Sequence, residues 1–334
     1  MGLLANLIKD NAITPVDIPE LEEKMFFEGA GRRVQLERFA VLLFLSAWIA
    51  TYGVLGDSTA VVIGAMLIAP LMKPIMATAV GLVMGDRRRA GQAFLTVVLG
   101  VAGTVFTAWF LSSFLYSNII SFNTNSQISG RISPSLTDLG VALGAGAAAA
   151  FATTRSDVAD SLPGVAISIS LVPPLCVVGV GLSEGEWHVA YGAMLLFVTN
   201  FLSILLAGGG LLVLLGLSKA STTGLGVNAR RRAFAIITAG TLVVAIPLAM
   251  TSFQVASETR IALKAQKLAR FWLQETDFEV VRVDVDGRHV RMVITGPGDP
   301  PSVANITPEI KSLLEGAEVT IKIVPAQTFH YPDF

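Results

Sequence analysis

The chain has 334 residues, of which 53% are hydrophobic and 15% charged, and its net charge at neutral pH is −1. A water-soluble domain of this size carries nearer a quarter charged residues, so this composition belongs to a chain solvated by lipid, and the balanced charge gives no footing for nucleic acid. One cysteine, Cys176, leaves no disulfide framework and no cysteine-based metal site.

Residues 1–37 open the chain with a short apolar stretch followed by Glu20, Glu22 and Glu23, which is not the pattern of a secretory leader. They are expected to form a cytoplasmic N-terminal segment. A membrane span needs about 20 apolar residues at 1.5 Å rise each. Seven stretches qualify, at 38–55, 58–84, 91–115, 135–153, 161–182, 188–216 and 232–252, giving a transmembrane domain over 38–253. Within it only Lys73 lies well inside an apolar run. The connections are charged or turn-rich, beginning with Gly85-Asp86-Arg87-Arg88-Arg89.

Short-loop lysine and arginine set orientation. Arg32, Arg33 and Arg38 precede the first span, Arg87, Arg88 and Arg89 follow the second, Arg155 follows the fourth, and Lys219 with Arg230, Arg231 and Arg232 follow the sixth. If each stretch crosses once, all four clusters share one face, which places the N-terminus in the cytoplasm. Seven crossings put the C-terminal part outside. Against this, Arg260, Lys264, Lys267 and Arg270 follow the last span closely and favour the inside.

Residues 254–334 read as a small soluble α+β domain of order αββαβ. Ile261, Ala265, Leu268 and Trp272 recur at helical spacing in a helix over 256–273. Two alternating strands, 278–285 and 289–295, flank the turn signal Asp286-Gly287. A loop, a helix over 302–314 and a strand over 317–324 complete the domain. Its size suits docking or oligomerisation.

Two stretches echo each other. Asp57-Ser58 precedes an apolar run ending at Pro70, and Asp160-Ser161 precedes another ending at Pro173, 103 residues later in both cases. Val80-Gly81-Leu82 recurs as Val180-Gly181-Leu182 once three residues are dropped. An offset of three spans makes this an inverted 3+3 repeat, with repeat one at 38–115, repeat two at 135–216 and the span 232–252 appended. Such repeats set paired, interrupted helices around a site near the midplane. Pro70, Pro74, Pro173 and Pro174 are the expected breaks, since proline removes a backbone donor and clashes with the preceding turn. In lipid the freed carbonyls must find partners or line a cavity.

The same residues carry a resemblance. Residues 49–58, Ile-Ala-Thr-Tyr-Gly-Val-Leu-Gly-Asp-Ser, with 62–75, Val-Ile-Gly-Ala-Met-Leu-Ile-Ala-Pro-Leu-Met-Lys-Pro-Ile, resemble one signature of an uncharacterised prokaryotic membrane family, the domain of unknown function number three-eight-nine. Residues 159–166 and 171–175 resemble its second signature. The resemblance covers about 35–215 and implies a multi-pass protein of a bacterial or archaeal cell membrane, the inner one where there are two. It implies no activity.

Lys73 is the sharpest candidate for function. A lysine at the bilayer centre costs about 2.5–3.5 kcal/mol, so it would face the protein interior or water and hold an anionic solute or a proton. Asp57, Ser58, Asp160 and Ser161 fit helix N-caps, or the gates and ion ligands of an inverted pair. Ser168, Ser170 and Asn200 could coordinate solute, though hydrogen bonds between helices account for them more readily. The small-residue run from Gly140 to Ala152 invites close helix approach, within a subunit or between two. Gly208-Gly209-Gly210 is expected to bend or loosen its span. No nucleophile, catalytic aspartate pair or zinc-ligand set is visible, so neither an enzyme nor a cofactor is expected. The leading expectation is a transporter or channel for a small solute or ion. The alternative is a membrane scaffold or sensor whose C-terminal domain docks a partner or self-associates. In either case the partners are the lipid bilayer and further copies in a homo-oligomer, with no nucleic acid.

Overall fold

A computed structural model describes residues 11–115, 122, 124–155, 171–220, 227–274, 276–286, 289–297, 302, 306 and 318–325. They fall into two compact units, Met1–Leu248 and Ala249–Phe334.

The first unit is a helical bundle. Its elements are α1 Ile18–Met25, α2 Arg32–Leu55, α3 Thr59–Ile68, α4 Met72–Met84, α5 Arg87–Leu115, α6 Ser126–Ile132, α7 Leu136–Thr153, α8 Val172–Ser183, α9 Trp187–Leu214 and α10 Leu217–Ala220. Among the described residues α2, α5, α7 and α9 are each long and apolar enough to cross a membrane, and the bent pair α3–α4 makes a fifth if it counts as one span. The expected span 161–182 is described only from residue 171, as α8.

Local chemistry explains where these helices start and stop. The Ser58 hydroxyl accepts the Val61 amide at 3.5 Å and caps α3. Ser135 and Asp138 cap α7 with a reciprocal pair of bonds. Pro74 sits in the first turn of α4, and Pro173 with Pro174 in that of α8. There the missing amide would have had no helical partner anyway, so proline starts these helices instead of kinking them. Gly85 (φ 81°) and Gly185 (φ 74°) turn the chain out of α4 and α8 in the left-handed region that only glycine enters cheaply.

At the α3–α4 break the axis turns by 50°. It also carries the chain from surface to interior. On α3 only Val62, Ala65 and Met66 are buried, whereas α4 buries every residue from Pro74 to Met84 except Leu82. On α8 every residue from Val172 to Gly181 is buried. Thus the two helices that follow prolines are the most enclosed in the bundle. A Cβ on Gly179 would lie 2.5 Å from the Val105 carbonyl, which shows how closely α8 meets α5.

Of two expectations about small residues, the close helix approach is met and the bend is corrected. The close approach of α7 to α9 is made at Gly146, where a Cβ would lie 2.7 Å from the Ile204 Cα. At Gly140 and Gly144 a Cβ would meet nothing within 4 Å. The three consecutive glycines do not bend their span: α9 runs unbroken through them. Gly208 faces the Gly146 carbonyl and Gly209 the Phe234 ring, so their smallness serves packing.

The segment before α2 gathers one end of the bundle. Arg89 pairs with Glu22 at 2.6 Å and with Glu28 at 2.9 Å. Arg155 Nε donates to Asn11 at 2.8 Å, and the Ile13 amide to the Leu215 carbonyl at 2.8 Å. The ends following α4, α7 and α9 therefore meet the same segment, and the basic residues flanking them cluster there. At the other end, Asn125 Nδ2 donates to the Val54 carbonyl at 2.7 Å, holding α6 against the end of α2.

The expected separation of a span (232–252) from a domain helix (256–273) gives way to one helix, α11, Val227–Trp272, of which residues 249–272 fall in the second unit. Residues 253–257, Phe-Gln-Val-Ala-Ser, hold no glycine or proline to stop it. Beyond it come β1 Glu279–Asp286, β2 His289–Gly296 and β3 Glu318–Pro325. They form a sheet of order β1-β2-β3, with β1 antiparallel to β2 and β2 parallel to β3. Val290, Met292 and Ile294 alternate inward from β2 against Ala265, Leu268, Ala269 and Leu273 of the helix end. The expected helix over 302–314 lies outside the described residues except at Ser302 and Ile306.

Candidate functional site

The break between α3 and α4 is the candidate site, because it sets Lys73 at the head of a buried helix. Lys73 is half-buried. Its Nζ donates to Gln35 Oε1 at 3.4 Å and stands 4.5 Å from the centroid of the Phe27 ring. Both partners come from the start of α2 and the segment before it. The ring face attracts the ammonium while keeping water off one side. Behind the lysine, the Thr78 hydroxyl returns to the Pro74 carbonyl at 2.8 Å, within its own helix.

Asp57 and Ser58 stand at the far end of α3. Ten residues at 1.5 Å separate them from the break by about 15 Å, so they share no pocket with Lys73. Asp57 has φ 49°, a left-handed backbone that aspartate tolerates better than most residues. Its Oδ1 accepts the Ser126 hydroxyl at 2.7 Å and the Gln127 amide at 3.0 Å. The hydroxyl first and the amide second hold this carboxyl below the usual carboxylate range. Gln127 Nε2 adds a bond to the Thr59 hydroxyl at 2.7 Å. Asp57 thus fastens the start of α6 to the α2–α3 turn.

Asn200 is 2% exposed within α9. Beside it the Thr199 and Ser203 hydroxyls bond back to the Leu195 and Thr199 carbonyls at 2.7 and 2.6 Å, so both are spent on their own helix. Pro70 lies in the break itself, while Pro74, Pro173 and Pro174 begin the two buried helices. Asp160, Ser161, Ser168 and Ser170 lie outside the described residues. The expected second break is therefore described only from α8 onward.

Two cavities flank this region. A groove of about 730 Å³ runs between α2 and α5, lined chiefly by apolar and aromatic side chains. A smaller polar one of about 200 Å³ lies at the basic end among Asn11, Asp17, Lys24 and Arg155. Lys73 lines neither. Among the described residues no three of His, Cys, Asp and Glu gather as metal ligands.

Sequence reasoning overlooked Phe27 and Gln35 as the partners of Lys73, and Arg89 as the anchor of Glu22 and Glu28. The aromatic pair Phe26-Phe27 just before a span was the available signal. Phe26 lies 5.0 Å from the Arg89 guanidinium, so the two rings share the two cations.

Residues 66–206 carry a match to the family model described as Domain of unknown function (DUF389). This is the family that the two signatures resemble. An uncharacterized protein of Methanocaldococcus jannaschii is 29% identical over 164 residues, which are 49% of this chain and 50% of that protein. The chain spans about half the length of the curated relative it matches. No solved structure matches it.

Proposed function

We propose that this is a multi-pass protein of a prokaryotic cell membrane that passes a small anionic solute or ion, with its N-terminus in the cytoplasm. It is built of two inverted three-span halves, 38–115 and 135–216, plus one further span. The observation that carries this reading is one helical hairpin that occurs twice. Pro74, Gly81, Gly85, Asp86 and Ala90 recur as Pro174, Gly181, Gly185, Glu186 and Ala190, an offset of 100 read from the numbering. The geometry recurs with them. The Asp86 amide donates to the Gly81 carbonyl at 2.9 Å and the Glu186 amide to the Gly181 carbonyl at 2.8 Å. A Cβ on Gly81 would lie 2.8 Å from the Ala90 amide nitrogen, and one on Gly181 2.9 Å from that of Ala190.

The first turn is rich in arginine and the second holds Glu184 and Glu186, as expected if the copies face opposite compartments. Carriers built this way place paired broken helices at the substrate site, and in this reading Lys73 supplies the cation at the first break. Flux of chloride, phosphate and small carboxylates into liposomes holding the full chain tests it. The expected result is flux of at least one anion, lost in Lys73→Gln. Absence of flux and of thermal stabilisation across the panel would remove the reading.

One observation favours a docking role for the second unit. Leu263, Phe271 and Val281 are 61%, 69% and 62% exposed, apolar surface that a partner or a second copy would cover. Cross-linking of the full chain through Phe271→Cys would report a partner or a second copy there.

A further inference from the structure

The groove between α2 and α5 has the form of an amphiphile site. Its floor is opened by a missing side chain: a Cβ on Gly103 of α5 would meet nothing within 4 Å. The walls follow helical spacing, with Leu36, Leu43 and Trp48 along α2 and Leu99, Phe106 and Phe110 along α5. The only hydroxyls in the lining, Thr96 and Thr107, are turned back to the Gln92 and Gly103 carbonyls at 3.0 and 2.8 Å, so apart from the Trp48 indole N–H the interior is apolar. The charged groups gather at one end alone, where the lining is Glu28, Arg32, Arg89 and Gln92. Glu28 is already engaged by Arg89. Arg32 is exposed, and Arg88 stands exposed one turn before Gln92 on the same stripe of α5. Arg89 is offset by Glu22 and Glu28, so the mouth offers the exposed guanidiniums of Arg32 and Arg88 while the remainder is oily.

We propose that this groove binds one anionic glycerophospholipid, its phosphate held at the mouth by Arg32 and its acyl chain lying over Gly103 between the two helices. The outward neighbours of the groove, Val41, Leu45, Leu95 and Phe114, are exposed apolar side chains, so in a membrane the medium that fills it is lipid. Beneath the groove α2 and α5 already touch, since a Cβ on Gly100 would lie 3.2 Å from Leu43 Cδ2. Basic recesses between spans are a recurrent form of recognition for anionic headgroups. The proposal rests on the bundle lying in a membrane, and it is independent of transport.

The experiment is native mass spectrometry of the full chain with added phosphatidylglycerol or phosphatidylcholine of identical acyl chains. One phosphatidylglycerol per chain should be retained about fivefold more tightly than phosphatidylcholine, the worth of one arginine at an anionic surface. Arg32→Gln should remove that preference. A Cβ at Gly103 meets no protein atom within 4 Å, so Gly103→Leu sends its side chain into the groove and should displace both lipids without lowering the melting temperature. Equal retention of the two lipids, or retention that survives Gly103→Leu, overturns the proposal. Efficient cross-linking between copies through Gly103→Cys also overturns it, in favour of a second chain as occupant. A protein that passes no solute and still shows these lipid effects separates this inference from the transport reading.

Discussion

Replacing Gly81 or Gly181 by alanine tests the recurring hairpin directly. The new Cβ would stand 2.8 and 2.9 Å from the amide nitrogens of Ala90 and Ala190. Unstrained contacts to carbon lie at about 3.5–4.0 Å, so each hairpin would have to open by roughly 0.5–1 Å. The obstructing atoms are backbone, not the end of a flexible side chain, so relief requires moving a whole helix. Overpacking of this kind costs about 1–3 kcal/mol. Alanine returns up to about 1 kcal/mol of helix propensity, which leaves a net loss of about 1–2 kcal/mol in each variant. The controls are Gly91→Ala and Gly144→Ala, where nothing lies within 4 Å of the added Cβ and propensity alone predicts a neutral or stabilising change. Reversible unfolding of the purified full chain in mixed detergent micelles, followed by tryptophan fluorescence, measures all four. The expected result is an equal loss at Gly81 and Gly181, with none in the controls. If Gly81→Ala and Gly181→Ala track the controls, the close approach is absent. If only one of them is destabilised, the two hairpins are not equivalent and the argument for a repeat fails with them.

Other outcomes follow from the same contacts. Asp57→Asn keeps an acceptor for Ser126 and Gln127 and tolerates the left-handed backbone, so it should resist heat better than Asp57→Val, which loses both; melting curves of the two variants decide this. Because the folded Asp57 carboxyl is held below its ordinary value of about 3.9, its stabilisation is present above that value and lost as pH falls through the lower folded pKa. Acid-induced opening of the loop around Asn125 should therefore be seen in the natural chain and flattened in Asp57→Asn, which has no carboxyl there to protonate, as read by limited proteolysis. Arg89→Ala strands Glu22 and Glu28, whose partner is only 22% exposed; it should cost about 1–3 kcal/mol and expose residues 11–28 to protease. Lys73→Met keeps the apolar stem against Phe27 and forfeits a cation–ring contact of about 0.5–1 kcal/mol, so its melting temperature should barely move, and any loss of flux in it is a loss of function, not of fold.

Much of this architecture was legible from residue order. In lipid each backbone must satisfy itself, so long apolar runs declare α2, α5, α7 and α9 without reference to neighbours. Their charged ends declare which termini share a face, and the segment 11–28 does gather Arg89, Arg155 and Leu215 at one end. The strands of the second unit were equally plain, because alternation around Asp286-Gly287 has a single reading as a hairpin. What hydropathy does not encode is which apolar face meets protein and which meets lipid, since both environments welcome the same side chains. Only the packing reveals that α3 lies outward while α4 and α8 are enclosed, and that the glycines of α9 admit Gly146 and Phe234 instead of bending the helix. The candidate site was half legible: a lone lysine between two prolines stood out in the sequence. Its partners did not, because Gln35 lies 38 positions away from it. Asp57 shows the same division, for the sequence marks a turn there, and only the folded chain brings Ser126 and Gln127 across some 70 residues to complete it.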